Sequence, residues 1–177
     1  KTPEIDFDSA ERGNIVHKAL EIFWSKVITS VNLRQLKKDN QLISTLQDCV
    51  RKAATDFHGK LVDQKKFKEL EVRRVEDLLM DWLEKELLRP DFEVIHSEKV
   101  EQIRIAGLDM KVRIDRIDKG ANGCIILIDY KTGAVKPKNW FEDRLQDPQL
   151  PLYAMKISPD AIAFAEIKDG QNVRMLE

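Results

Sequence analysis

The spacing of the apolar residues changes at Pro90, and no other feature of the chain constrains its fold as strongly. Before Pro90 the period is that of a helix. In DSAERGNIVHKALEIFWSKVI the apolar positions Ile15, Val16, Ala19, Leu20, Phe23, Trp24, Val27 and Ile28 form one 3.6-residue stripe, behind a capping-box candidate at Asp8 and Glu11. A second stripe (Leu42, Ile43, Leu46, Val50, Ala53, Ala54, Phe57) ends near Gly59, and a third (Phe67, Leu70, Val75, Leu78, Leu79, Trp82, Leu83, Leu87) stops at Pro90.

After Pro90 the period becomes two. FEVIHSEKV, EQIRIAG and LDMKVRID read as strands; in the last, Leu108, Met110, Val112 and Ile114 alternate with Asp109, Lys111, Arg113 and Asp115. CIILIDY is almost continuously apolar, as expected of a central strand covered on both faces, and DKGANG before it supplies a hairpin turn. An irregular basic stretch follows. In DPQLPLYAMKI, Asp147 can cap a further helix with Pro148 at its first position. AIAFAEI, an Asp169-Gly170 turn and VRML close the chain as a short hairpin. The expected class is α/β, with a helical N-terminal half and a sheet after it.

With 177 residues, 42% of them hydrophobic, the chain has the size of a single domain spanning 1–177. It begins without Met and ends in a strand-like run, which suggests a piece excised from a longer polypeptide. Lys plus Arg (30) and Asp plus Glu (31) nearly cancel, so a nucleic-acid role needs a local basic surface and does not follow from net charge. Cys49 and Cys124 have no CxxC partner and read as reduced core thiols, with no signal-peptide core or membrane-length apolar run; a soluble cytoplasmic protein is expected.

Against that background the end of CIILIDYK is unusual. Side chains two apart on a strand share a face, so Asp129 and Lys131 emerge together while Tyr130 points the other way. If the hairpin folds about Asn122, Asp115 and Asp129 oppose each other across two antiparallel strands. Opposed carboxylates repel, and a divalent cation with oxygen ligands reverses that cost. Lys131 beside it could orient or deprotonate a water, or stabilise charge growing on a phosphorane-like transition state. His17 lies seven residues, or about two turns, from Trp24, hence near the inward stripe, where an imidazole could add a nitrogen ligand; Gly13 one turn earlier would let that helix approach the sheet closely. Gln149 and Tyr153 share a helix face and suit phosphate or base contacts, while Lys136, Lys138, Trp140 and Arg144 could bind backbone phosphates and stack a base. Each feature alone has a plainer reading: a solvated ion pair for Asp129 and Lys131, a charged strand end for RIDRID, a hydrogen-bonded core histidine for His17, and an ordinary surface loop for the lysines.

Together, RGNIVHKAL, WLEKELLRPDFEVIHSE, VRIDRID, LIDYKTG and DPQLPLYA, in this order, resemble the RecB-like nuclease domains of the PD-(D/E)xK superfamily, including those of the AddAB and RecBCD helicase-nucleases. The resemblance runs from Arg12 to the final hairpin. It implies a mixed central sheet flanked by helices, in the restriction-endonuclease-like arrangement, with the active site at the sheet edge. His17, Asp115 and Asp129 look like metal ligands, with the backbone carbonyl of Tyr130 as a further donor, and Asp115, Asp129 and Lys131 look like the catalytic residues. Gln149 and Tyr153 look like the family's DNA-proximal pair, with Arg116, Lys136, Lys138 and Arg144 as further DNA contacts, and Glu98 looks like a supporting residue behind the ligands. Mg²⁺ or Mn²⁺ is the implied cofactor. Some relatives carry an iron-sulfur cluster, and none is expected here because only Cys49 and Cys124 are present; there is also no P-loop, so unwinding would belong to a helicase domain or subunit.

These readings converge on a metal-dependent deoxyribonuclease acting in DNA repair or recombination, on single-stranded or unwound DNA, as an exonuclease rather than an endonuclease. Two other classes fit parts of the sequence. A catalytically inactive DNA-binding or scaffolding module would keep the fold, and a metal site for a small phosphorylated substrate would use the acids but leave Gln149 and Tyr153 without a role.

Overall fold

The computed structural model describes residues 9–56, 65–105, 107–132, 158–167 and 174–176. Four helices come first: α1 (Ser9–Val27), α2 (Ser30–Lys38), α3 (Leu42–Asp56) and α4 (Lys65–Glu86). Five strands follow: β1 (Phe92–Ile105), β2 (Leu108–Gly120), β3 (Ile125–Lys131), β4 (Ala161–Glu166) and β5 (Arg174–Leu176). The change of period at Pro90 is therefore the boundary between helices and sheet.

The helices bury most of the stripe residues named above, although Ile28, Ile43 and Leu70 are exposed. Val16, Ala19, Leu20, Phe23 and Trp24 of α1, Leu46, Cys49, Val50 and Ala53 of α3, and Val75, Leu79, Trp82 and Leu83 of α4 form one core. Each large apolar side chain contributes about 1.5–3 kcal/mol by burial, against tenths for intrinsic helix propensity, so packing decides these helices. The sequence pattern did not reveal α2, because SVNLRQLKK buries only Ser30 and Leu33. Its start is set locally: Ile28 turns left-handed (φ 62°), and the extended Thr29 accepts the Asn32 N–H at 3.1 Å as an N-cap. The Ile28 carbonyl then accepts the Val94 N–H at 2.7 Å, which fastens the α1–α2 junction to the first strand.

The sheet order is β1-β2-β3-β4-β5, antiparallel except for the parallel β3–β4 pair, so it is mixed as expected. FEVIHSEKV and EQIRIAG are one continuous strand with a bulge between Val94 and His96, where two had been expected. The β4–β5 pairing bears out the terminal hairpin, although Asp169 and Gly170 lie outside the described residues. Ile128, Tyr130, Ala163 and Ala165 face the helices, whereas Ile117, Leu127 and Phe164, which alternate with helix-facing neighbours, are buried on the other face. Among the described residues no helix is long and apolar enough to cross a membrane.

One feature of this topology positions the site. β2 pairs with β1 along nearly its whole length, but its register with β3 runs only from Lys119↔Ile125 to Arg116↔Ile128. Beyond that point the two strands part, and Asp115 stands at the fork.

Candidate metal centre and active site

Asp115 is the residue around which the rest is arranged. The β2–β3 ladder stops one residue short of it, and its Oδ2 accepts the Tyr130 N–H at 2.7 Å where a ladder carbonyl would otherwise serve. The carboxylate is thus fixed from behind, and Oδ1 lies 3.1 Å from His17 Nδ1. The register ends at Arg116↔Ile128, one residue short of the Asp115–Asp129 pair that the hairpin count about Asn122 anticipated.

His17 arrives from α1. Gly13, one turn earlier, is what permits the approach: a Cβ built there would stand 3.1 Å from Thr132 Oγ1 at the end of β3. The imidazole is packed edge-on against the Tyr130 ring, with centroids 5.9 Å apart. Burial on its own would lower its pKa, but the carboxylates of Asp115 and Glu98 outweigh that and raise it to about 10, so without a metal the ring is an imidazolium.

Glu98 completes the group. Among the described residues, His17, Glu98 and Asp115 form a cluster whose potential ligand atoms all lie within 4.8 Å of one another. Glu98 is the only one held in an unusual backbone conformation: φ is 52°, in the left-handed region that costs a non-glycine residue roughly 1–2 kcal/mol. Its Oε2 accepts from Arg113 Nε, while the buried Oε1 faces His17 Nδ1 at 3.6 Å and accepts no hydrogen bond from a described residue. Burial pushes this carboxyl up, yet His17 and Arg113 together bring it below its ordinary value. A strained, ionised carboxylate with a buried unsatisfied oxygen beside an imidazole and a second carboxylate is the donor set of a hard or borderline divalent cation.

Asp129 and Lys131 emerge side by side at the end of β3, with Lys131 Nζ 2.9 Å from Asp129 Oδ2, and Tyr130 turns inward between them. Asp129 does not belong to the tight three-residue cluster. A model of the PD-(D/E)XK nuclease superfamily matches residues 1–175. The chain belongs to this superfamily. No curated protein matches it.

Within the PD-(D/E)XK domain, Arg116 is not where a DNA contact could be. The sequence suggested an exposed basic residue in RIDRID, whereas its guanidinium is wholly buried. It bonds Asp118 (Nε–Oδ1 2.6 Å, Nη2–Oδ2 2.7 Å), Glu86 (Nη1–Oε1 2.8 Å) and the Tyr130 hydroxyl (3.3 Å), and lies over the Trp24 ring at 4.0 Å. Arg89 closes the group by reaching Glu86 at 2.6 Å and Asp118 at 2.9 Å. The reason is its register: Arg116 pairs with Ile128 on the helix-facing side, so it had to be enclosed and neutralised. Burial raises the Tyr130 phenol pKa well above its ordinary value, which keeps it a neutral hydrogen-bonding partner here.

Lys136, Lys138, Trp140, Arg144, Gln149 and Tyr153 lie outside the described residues. Glu98, expected behind the ligands, lies in one cluster with His17 and Asp115. The signal was in the hairpin: β1 and β2 meet at Ile105↔Leu108, and counting seven residues out along each strand brings Glu98 level with Asp115.

Proposed function

We propose that this domain is a RecB-like, Mg²⁺- or Mn²⁺-dependent deoxyribonuclease that hydrolyses phosphodiester bonds of single-stranded or unwound DNA, as an exonuclease, during repair or recombination in the cytoplasm. The observation that carries the reading is the convergence of His17, Glu98 and Asp115, with Oε1 of Glu98 buried and accepting no hydrogen bond from a described residue, beside a Lys131–Asp129 pair in a chain of this superfamily.

His17, Glu98 and Asp115 would hold the cation, with Asp129 and the Tyr130 carbonyl as further donors. When bound, it would lower the pKa of a coordinated water and offset negative charge on the phosphate. Asp115 keeps its orientation through the Tyr130 N–H, and His17 must give up its proton before it can offer a lone pair. Lys131, steadied by Asp129, orients the attacking water and stabilises charge growing on the phosphoryl oxygens as the new P–O bond forms and the old one breaks. Lys136, Lys138, Arg144, Gln149 and Tyr153 would grip the DNA backbone, and a helicase domain or subunit would deliver the unwound strand.

The test is Mn²⁺ titration by calorimetry together with cleavage of labelled single-stranded DNA by wild type, Glu98→Ala and Lys131→Ala. Wild type should bind Mn²⁺ and cut; Glu98→Ala should bind the ion about 10–100-fold more weakly, and Lys131→Ala should bind it normally but cut at least a hundredfold more slowly. DNA binding without Mn²⁺ binding or cleavage in wild type would establish a scaffold instead.

A further inference from the structure

Two arginines three residues apart on β2 are used in opposite ways. Arg116 is enclosed, with each of its three nitrogens bonded to an acid or a phenol. Arg113 has a side chain 57% exposed, and among the described residues Glu98 is its one ion-pair and hydrogen-bond partner, reached through Nε. A guanidinium carries five N–H donors in a planar fork, so the four on its terminal nitrogens remain for something other than Glu98.

The placement says what that something is. Glu98 gives Oε2 to Arg113 and turns Oε1 toward His17, so the guanidinium stands one carboxylate away from the candidate metal donors. If Arg113 served only to hold Glu98, its Nε alone would suffice and the rest of the guanidinium could be enclosed, as that of Arg116 is. An outward fork anchored by its Nε edge fits a ligand with two adjacent anionic oxygens, and a backbone phosphate has that geometry. It also answers a charge problem: Glu98, Asp115 and Asp129 face a polyanion at this edge, and a cation held at the rim relieves the repulsion.

We propose that Arg113 is a substrate-binding residue, which clamps a nucleic-acid backbone phosphate next to the metal donors while its Nε holds Glu98 in place. This rests on the nuclease reading, and the experiment separates the two. Binding of a fluorescein-labelled single-stranded oligonucleotide is measured by anisotropy in EDTA across a salt series, for wild type, Arg113→Ala and Arg113→Lys, with Mn²⁺ affinity measured on the same proteins and thermal melts as a folding control. Arg113→Ala should weaken DNA binding about tenfold and flatten the plot of log affinity against log salt by about one phosphate contact, with Mn²⁺ affinity lowered less than by Glu98→Ala. Arg113→Lys, which keeps the charge and the pairing with Glu98 but not the fork, should fall between, and it carries the test if the alanine variant fails to fold. Unchanged DNA affinity and salt slope in both variants would overturn the proposal, as would a loss of Mn²⁺ affinity with DNA binding intact, which would make Arg113 only a support for Glu98. If wild type neither binds Mn²⁺ nor cuts DNA while Arg113→Ala still weakens DNA binding, the nuclease reading fails and the phosphate clamp stands.

Discussion

Replacing Arg116 by Met is the most demanding test of how the sheet is held behind the site. The change removes a wholly buried guanidinium bonded to Glu86, Asp118 and Tyr130 and stacked over Trp24 and Phe92. Glu86 and Asp118, both fully buried, are then left with Arg89 alone to balance them. Removing one partner of a buried ionic group costs about 3–5 kcal/mol, and each desolvated ring contact adds about 1–2 kcal/mol, part of which the Met side chain restores. The expected loss is about 4 kcal/mol, a large share of the roughly 5–15 kcal/mol that holds a domain together. Urea unfolding in EDTA at neutral pH measures it. The companion variant Arg116→Met/Asp118→Asn restores the balance of charge, leaving Glu86 to Arg89, and should recover at least half of the loss. A single substitution costing under 1 kcal/mol, or a double variant no more stable than the single, would refute the reasoning. A loss of DNA affinity with full stability would restore Arg116 as a DNA contact.

Three further outcomes follow from the site. His17 has a folded pKa of about 10, raised above its ordinary 6.5, so its ion pairs stabilise the metal-free protein fully below pH 6.5 and lose that contribution as pH rises through 10. In EDTA the stability difference between wild type and His17→Gln should shrink by a few kcal/mol over that window, allowing for a ring 24% exposed, and a difference independent of pH would contradict it. Gly13→Ala should leave the melting temperature within a few degrees of wild type, because about 1 kcal/mol of helix propensity offsets the 3.1 Å approach to Thr132 Oγ1, whereas Gly13→Leu should melt well below it; equal melting of the two would show that α1 does not press on β3. Saturating Mn²⁺ at about 100 times its Kd should stabilise wild type by about 2.7 kcal/mol in the same urea assay and leave Asp115→Asn nearly unmoved.

The division of the chain at Pro90 was legible because burial and periodicity agree there, and the β2–β3 register up to Arg116↔Ile128 was legible because a hairpin register follows from its turn. Three things were hidden. α2 fully buries no apolar side chain but Leu33, with Val31 exposed and Leu36 only partly covered, so its existence depends on the Thr29 cap and the turn at Ile28, which leave little periodic trace. Arg116 looked exposed because charge in a strand ordinarily means solvent, and the arrival of Glu86 from α4 beside Asp118 makes its burial tolerable. Glu98 departs from regular strand geometry by its left-handed φ, so alternation misplaces its side chain although the pairing count finds its position.

The ligand candidates also differ in how far apart they lie along the chain. Glu98 and Asp115 sit on one hairpin joined next to Gly107, whereas His17 reaches Asp115 across 98 residues. Loop-closure entropy lets the hairpin form early and makes the docking of α1 on it a late event in folding. If that docking follows the rate-limiting step, so does capture of a cation shared by the three. It would act as a latch, lengthening the lifetime of the native state against unfolding while leaving the refolding rate almost as it was.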